Sequence, residues 1–324
     1  MADDSDRLDL IQRLAEKQNS GEKKSLAERA AEKLATSPVN QATKTGATAH
    51  SDTNSQRQKP VTKDTKSGIA DSGDKGTFRS ELDFDKLRQS GYITPDQQQT
   101  HLAEEFRAIK RPLLLKAFGN ESRKVERGNV IMITSAQPGE GKTFTSINLA
   151  MSIASERDLH VLLIDTDVYR HRLEDELGIG GRKGLVDLLI DDNLELTELF
   201  VRTNIPNLTI LPVGTLHPQA PELMASQKMS ALMDDIAARY PDRVIIIDSP
   251  PVLASSEPSV LALLVGQTVL VVEANRTKKS NVERSLKLIS NCENIYFVIN
   301  KTGSDSTVSP YRSYAYYDEY RKQA

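Results

Sequence analysis

The stretch that decides the fold runs from Val130 to Ile153 and reads V-I-M-I-T-S-A-Q-P-G-E-G-K-T-F-T-S-I-N-L-A-M-S-I. An apolar run is followed by a glycine-bearing loop, 135–143, and then by a segment with helical character. Strand, glycine loop, Lys-Thr and helix are the context of a phosphate-binding loop, or P-loop. Gly139 and Gly141 allow the backbone to curl so that its N–H groups face phosphate oxygens, and the positive end of the following helix faces the same place.

This loop predicts a nucleoside triphosphate site with Mg²⁺. Lys142 can reach the β- and γ-phosphates, and the Thr143 hydroxyl can ligate Mg²⁺. The usual motif opens with Gly, where this chain has Ala136. A glycine-rich turn without a ligand is the alternative, but the intact Gly-Lys-Thr and its flanking elements favour a phosphate site. The predicted nucleotide-binding residues are Gln137, Pro138, Gly139, Glu140, Gly141, Lys142, Thr143 and Phe144.

Two more apolar runs lead directly into aspartates. One covers 161–167 and ends at Asp165 and Asp167, and the other covers 244–251 and contains Asp248. In parallel sheets ligands lie beyond the carboxyl ends of the strands, so these acids are expected to face the phosphates and the metal. A single Asp at a strand end is often only a turn former. Three acids in chain order with a P-loop favour a site.

Strands and helices alternate from Asn129 to Gly303. Apolar runs fall at 130–134, 161–165, 208–213, 243–248, 268–273 and 295–299. The helical segments between them fall at 142–156, 221–239, 257–265 and 278–290. The pattern predicts an α/β fold, a doubly wound mainly parallel sheet.

Composition argues against several kinds of partner and site. The chain has 324 residues and a net charge of −3, so no nucleic-acid partner is implied. One cysteine excludes an internal disulfide framework, and the five scattered histidines suggest no metal site. No apolar stretch approaches the about 20 residues of a membrane span, and no signal-peptide core precedes the domain. We therefore expect a soluble, cytoplasmic protein.

Composition also divides the chain into regions. Residues 1–37 carry two short amphipathic stretches, which are either docking helices for a partner or nascent helix in a disordered arm. Residues 38–76 are polar and predict a disordered linker. A domain is expected at 77–303, with helices at 80–87 and 101–118 before the P-loop, and a tail at 304–324.

The helix at 101–118 carries Glu104, Arg107 and Lys110 at a spacing of three residues. Each step of three residues drifts only about 60° around the helix, so the outer two lie within about 60° of Arg107 and a solvated charged face is the simplest interpretation. The tail is unusual because five of the nine tyrosines lie within ten residues, and their spacing fits neither a helix face nor a strand. They are Tyr311, Tyr314, Tyr316, Tyr317 and Tyr320.

Together the P-loop, the Asp-x-Asp strand end, the Asp-Ser-Pro-Pro strand end and the tyrosine tail resemble the bacterial tyrosine kinases, which control exopolysaccharide and capsule synthesis. The resemblance covers roughly 78–324. It implies a P-loop NTPase fold of the deviant-Walker ATPase type. The stretches 105–114 and 25–30 are similar to the tyrosine autokinases linked to exosortase exopolysaccharide loci.

The resemblance also implies roles for individual residues. Lys142, Asp165 and Asp167 would be catalytic, with Asp165 as the base, and Thr143, Asp165 and Asp248 would hold Mg²⁺ beside ATP. The tail tyrosines would be autophosphorylated, and in trans, because a tail after the last strand could reach a neighbouring subunit. A Glu-x-x-Arg-x-x-Arg helix packs subunits of the family into a ring, and 104–110 looks like it with Lys in the last place.

The partners implied by the resemblance are a second copy of the chain in a ring, a separate membrane chain-length-determinant or co-polymerase protein, and a tyrosine phosphatase. The protein would then lie at the inner face of the cell membrane through that membrane partner. The strongest rival is a partitioning or division-site ATPase of the same class, which carries a signature Lys where this chain has Gln137 and predicts no tyrosine tail. A scaffold with a relic P-loop conflicts with the intact Lys142 and acids.

Overall fold

The alternation of strands and helices produces one sheet with helices on both faces. The structure is a computed structural model that describes residues 78–120, 122–239 and 242–303. Within these residues the strands are β1 (Phe78–Ser80), β2 (Val130–Ser135), β3 (His160–Asp165), β4 (Val201–Thr203), β5 (Leu208–Leu211), β6 (Arg243–Asp248), β7 (Gln267–Glu273) and β8 (Ile295–Asn300).

The helices of the same residues surround this sheet. They are α1 (Phe84–Gln89), α2 (His101–Phe118), α3 (Lys142–Ala154), α4 (Arg172–Leu177), α5 (Leu185–Ile190), α6 (Ala220–Met224), α7 (Gln227–Arg239), α8 (Glu257–Leu261) and α9 (Lys279–Leu288). A short 3₁₀ helix, Leu196–Leu199, precedes β4.

The strand order is β1-β4-β5-β3-β6-β2-β7-β8, and every pair is parallel except β4 with β5. The P-loop strand β2 lies between β6 and β7, so the sheet runs outward from it in both directions. The prediction of a doubly wound, mainly parallel sheet is confirmed. The five neighbouring strands β3, β6, β2, β7 and β8 are parallel, so the loops that follow them meet at one edge of the sheet.

Two apolar clusters lie on opposite faces of the sheet, because successive strand residues point to opposite sides. Ile131 and Ile133 of β2 belong to one cluster, which contains side chains of α1 to α4. Val130 and Met132 belong to the other, which contains side chains of α5 to α9. Both clusters are almost fully buried, and this burial fixes the register of the central strands.

Helix α2 has the predicted bounds, and Thr100 caps it by accepting a hydrogen bond from the Ala103 N–H at 3.2 Å. The Lys110 side chain is buried and donates to the Ser152 carbonyl at 2.6 Å near the end of α3. It also pairs with Glu156 at 2.6 Å. Lys110 therefore joins α2 to α3, and the interpretation of 104–110 as one solvated charged face is wrong.

Two local predictions differ from the structure, and two short strands were not predicted. The segment 80–87 splits into β1 and α1, because the Asp83 side chain accepts from the Lys86 N–H and starts the helix after residue 83. The predicted helix 221–239 splits into α6 and α7, because the Ser226 hydroxyl accepts from the Met229 N–H and begins a new helix. Strands β1 and β4 are three residues each, which is too short to show a period.

The predicted N-terminal helices at 1–37, the linker at 38–76 and the tyrosine tail at 304–324 lie outside the described residues. None of the helices that the structure describes is long and apolar enough to span a bilayer.

Candidate active site

The P-loop connects β2 to α3 at the edge where the parallel strands end. Gly139 and Gly141 have φ of 87° and 101°, in the left-handed region that favours glycine. Gly141 directly precedes α3, and a Cβ there would collide with the Asn300 side-chain amide. The glycines therefore set both the curl of the loop and its close approach to β8, and the N-terminus of α3 opens onto the same place.

Side chains from the loop after β7 and from the end of β8 and the residue that follows it brace the P-loop. The buried Glu140 carboxylate accepts from the Gln137 N–H at 2.8 Å and from the Thr277 hydroxyl. The Asn300 amide donates to the Glu140 carbonyl at 2.9 Å, and Lys301 Nζ donates to the Gly139 carbonyl at 2.7 Å. These contacts fix the loop before any ligand arrives.

The sequence analysis missed Asn300, Lys301 and Thr277. Asn300 and Lys301 stand at the end of the apolar run 295–299, so the strand-end rule that selected the acids could have selected them as well. Thr277 follows β7 by four residues in a loop, and no sequence signal indicates its contact with Glu140.

Lys142 lies among the predicted acids. Its Nζ is 2.8 Å from Asp167 Oδ2 and 3.9 Å from Asp248 Oδ2. Burial opposes the charged form of the amine, but the carboxylates of Asp248 and Asp167 outweigh burial and raise the pKa of Lys142. The amine is therefore a fixed positive charge at the N-terminus of α3, where phosphate groups are expected.

Asp248 holds the start of α3. Its Oδ2 accepts from the Thr143 hydroxyl at 2.7 Å, and its Oδ1 accepts from the Ser146 hydroxyl at 3.0 Å. Burial raises the pKa of Asp248, although Lys142 and the two hydroxyl groups favour its ionised form. The structure thus brings together Thr143 and Asp248, which the sequence assigned to one metal.

Asp165 is paired with Asp248 in the register of β3 and β6. Its side chain is fully buried; one carboxylate oxygen accepts from the Asp167 N–H at 2.9 Å, and Oδ2 has no hydrogen-bond partner. Burial and the neighbouring Asp248 raise the pKa of Asp165 well above its ordinary value. A buried carboxyl with an unpartnered oxygen beside a second carboxyl fits a place where a cation is expected.

The donor set suits Mg²⁺, which takes oxygen ligands and keeps several of them from phosphates and water. Thr143, Asp165 and Asp248 would supply the protein oxygens. Among the residues that the structure describes, no group of three or more His, Cys, Asp or Glu side chains could hold a metal ion. A metal here would therefore depend on a hydroxyl and on the phosphates as well as on carboxylates.

A cleft of about 760 Å³ opens over these residues, a volume in the range of small-molecule sites. Of the predicted nucleotide-binding residues, Pro138, Gly139, Gly141, Lys142, Thr143 and Phe144 line it. Asp167 also lines it, whereas Asp165 does not. The Phe144 ring packs on Tyr92, with ring centroids 5.3 Å apart, which closes one wall.

The predicted oligomerisation residues separate into two groups. Glu104 is exposed and pairs with Arg107, which also donates to the Gln98 carbonyl. Lys110 is turned inward to α3. Glu104 and Arg107 are thus the members of the motif with solvent-accessible surface, and their part in self-association stays a prediction.

The comparisons with known proteins agree with this geometry. Residues 128–301 match a family model described as an AAA domain. The tyrosine-protein kinase YwqD of Bacillus subtilis is 26% identical over 229 residues, which are 71% of this chain and 92% of YwqD. The chain belongs to the bacterial tyrosine kinases, within the AAA-domain family.

Two further relatives differ in how much of their own length is matched. The putative tyrosine-protein kinase EpsB of Ralstonia nicotianae is 32% identical over 159 residues, which are 49% of this chain and 21% of EpsB. The solved BceF tyrosine kinase domain is 25% identical with a TM-score of 0.54, and the match covers 68% of this chain and 91% of that domain. The chain therefore spans nearly all of some relatives and about a fifth of others.

Proposed function

We propose that this chain is an ATP-dependent protein-tyrosine autokinase that phosphorylates the tyrosines of its own C-terminal segment and thereby regulates exopolysaccharide polymerisation or export. One observation carries the proposal: Lys142 Nζ lies 2.8 Å from Asp167 in a P-loop cleft whose last bordering strand leads into the tyrosine-rich segment. The nucleotide phosphates would lie against the P-loop and the N-terminus of α3.

The transfer would be an in-line displacement on the γ-phosphorus. The phenol oxygen of the acceptor forms the new P–O bond while the bond between the γ-phosphorus and ADP breaks. Lys142 stabilises the negative charge on the transferred group, and it does so from a position already fixed by Asp167 and Asp248. Mg²⁺, held by Thr143, Asp165 and Asp248, would supply further charge neutralisation.

The phenol proton requires an acceptor, because free tyrosine has a pKa of about 10. The resemblance assigns the proton to Asp165, but although both side chains are buried, Asp167 is the member of the pair that lines the cleft. We therefore propose Asp167 as the acceptor of the phenol proton and Asp165 as a ligand of the metal. Asp167 would exchange its contact with Lys142 for one with the acceptor when the nucleotide arrives, since catalytic hydrogen bonds often form only in the complex.

The tyrosine segment can reach an active site without a large change in the domain. Tyr311 follows Gly303 by eight residues, which span at most about 28 Å when extended. Lys301, two residues before Gly303, contacts the P-loop at the cleft of its own chain. Reach alone permits transfer within one chain or between chains, and we propose transfer between chains in a ring-like assembly that includes α2.

The proposed partners follow the family. They are a second copy of this chain, a separate membrane co-polymerase that would hold the kinase at the inner face of the cell membrane, and a tyrosine phosphatase that resets the tail. The link to exosortase loci stays a prediction, since none of the relatives described above names it.

A labelling assay tests the function. The full chain, Lys142→Met and the matched control Lys287→Met, a lysine exposed on α9, are incubated with Mg²⁺ and γ-labelled ATP. We expect phosphotyrosine in the wild type and the control and none in Lys142→Met. Undiminished phosphotyrosine in Lys142→Met would remove the kinase assignment. ATP hydrolysis without phosphotyrosine would favour the partitioning-type ATPase instead.

A further inference from the structure

The strand order places two different loops on opposite sides of the P-loop. From β2 the sheet continues through β6 to β3 on one side and through β7 to β8 on the other. The end of β8 and the next residue supply Asn300 and Lys301 to the cleft, and the segment from the loop after β3 to the start of α4 supplies Asp167, Arg170 and Arg172. The cleft therefore has a β8 side and a β3 side, with the P-loop between them.

The reacting end of the nucleotide belongs on the β3 side. Lys142, the residue that reaches the β- and γ-phosphates of a P-loop nucleotide, points to Asp167 of that side at 2.8 Å. Asp165, the proposed metal ligand, ends β3 itself. A tyrosine that approaches the γ-phosphate would thus enter along the β3 side.

Two arginines on this side are available for a ligand. Of the four cations that line the cleft, Lys142 is paired with Asp167 and Lys301 with Glu273. Arg170 and Arg172 are exposed, and within the described residues neither forms an ion pair. Paired basic groups at the entrance of a cleft attract acidic ligands, and a guanidinium can bind a carboxylate in two-point geometry.

The acids near these arginines are already engaged. Glu176 also lines the cleft, but its carboxylate is hydrogen-bonded to Tyr92, whose burial and contact with Glu176 raise the pKa of the phenol. Asp167 is held by Lys142. Within the described residues Arg170 and Arg172 therefore form no ion pair, although Glu176 leaves one negative charge in the same cleft.

Close to its tyrosines, the tail carries the complementary charge at Asp318 and Glu319, whereas its other acid, Asp305, lies six residues before Tyr311. Tyr317 precedes Asp318 and Glu319, and Tyr320 follows them; we name Tyr317 and Tyr320 the acid-flanked pair. Tyr311 and Tyr314 lie on either side of Arg312 and form the arginine-flanked pair.

We propose that Arg170 and Arg172 select the acceptor, by binding the acidic residues beside the tyrosine, so that the acid-flanked pair of a second copy is phosphorylated before the arginine-flanked pair. The inference rests on the proposed kinase function. It names the substrate class as a tyrosine with two acidic residues within two positions, which excludes Tyr316, whose one acid within that distance is Asp318. Each exposed or half-exposed ion pair contributes modestly, so two of them give a preference of about five- to tenfold in initial rate.

The experiment uses two full-length partners that can be told apart. The enzyme carries Phe at all five tail tyrosines, and the substrate is Lys142→Met, which supplies tyrosines but no activity. Initial rates at each tail tyrosine are measured by mass spectrometry. The readout is the rate ratio of the acid-flanked pair to the arginine-flanked pair, which a general loss of activity leaves unchanged.

We expect a ratio of about five to ten with unaltered arginines and a ratio near one with Arg170→Gln/Arg172→Gln. The matched control Arg284→Gln, on the exposed side of α9, should keep the ratio. Charge exchange supplies the rescue: Arg170→Glu/Arg172→Glu should prefer a substrate with Asp318→Lys/Glu319→Lys over the unaltered substrate.

Each other outcome overturns the inference. A ratio near one with unaltered arginines removes the preference. A preserved ratio in the double Gln variant assigns the preference to other residues, and an equal loss at all four sites assigns the arginines to ATP. A complete absence of phosphotyrosine refutes the kinase function itself, which distinguishes the two failures.

Discussion

Replacing Asp165 by Asn should stabilise the metal-free protein while it removes the proposed metal ligand. Asp165 is fully buried, one of its oxygens has no partner, and Asp248 lies beside it in register. Asparagine keeps an acceptor for the Asp167 N–H and removes the charge. The amide nitrogen takes the place of Oδ2 and can donate to Asp248, so a hydrogen bond replaces an unsatisfied atom that costs about 1–3 kcal/mol, and we expect the free energy of unfolding to rise by about that amount near neutral pH.

The stability that Asp165→Asn gains over the wild type should increase with pH. Burial and Asp248 raise the pKa of Asp165 in the folded state, so between the ordinary aspartate pKa and the raised one the native protein binds more protons than the unfolded chain. Stability of the wild type therefore falls as pH rises through that window. The fall cannot exceed the slope for one bound proton, which is about 1.4 kcal/mol per pH unit. Asp165→Asn lacks this fall, and its advantage should shrink toward pH 5.

The assay is thermal or denaturant unfolding with a chelator present, at pH 5 and pH 7.5. The control is Asp187→Asn, because the Asp187 carboxylate accepts from the Gly184 N–H at 2.8 Å and the Thr215 N–H at 2.9 Å. These hydrogen bonds outweigh burial and lower the pKa of Asp187, so the same substitution should destabilise there. The reasoning would be refuted if Asp165→Asn were no more stable than the wild type at pH 7.5. It would also be refuted if the difference in free energy of unfolding were the same at both pH values.

Three further predictions concern the loop, the helix α2 and the tail. Lys301→Met should weaken ATP binding about three- to tenfold in titration calorimetry, because the P-loop loses the contact with the Gly139 carbonyl; an unchanged Kd would contradict this. Glu104→Ala/Arg107→Ala should lower the mass measured by light scattering, and a mass equal to that of the wild type would exclude an assembly role for these two residues. Lys110→Ala should instead lower the free energy of unfolding by about 1–3 kcal/mol, because the buried contacts to α3 are lost. Phosphorylation of the five tail tyrosines should dissolve the assembly, because each adds about −1.5 to −2 charges; with Mg-ADP at equal concentration, a phosphorylated form as large as the dephosphorylated one would instead suggest partner recruitment.

The fold follows from local patterns for most of its length. Continuous β-branched runs indicate strands buried on both faces, and β2, β3, β6 and β7 lie within two residues of the runs read from the sequence. The short β1 and β4 could not be predicted, because three residues show no period and β1 gains its hydrogen bonds only from a strand more than a hundred residues away. The bounds of α1 and α7 depend on single capping side chains, which the spacing of apolar residues does not reveal.

The sequence by itself determined the chemical groups of the candidate site, namely the P-loop lysine and threonine and the three strand-end acids, because their spacing against strands and a helix reflects local geometry. Only the tertiary structure decided how those groups divide. It placed Asp167 but not Asp165 in the lining of the cleft, braced the loop with Asn300 and Lys301, and turned Lys110 inward to α3. Each of these depends on elements far apart in the chain, whose contacts arise from strand order and packing, and no local pattern records which strand becomes the neighbour of which.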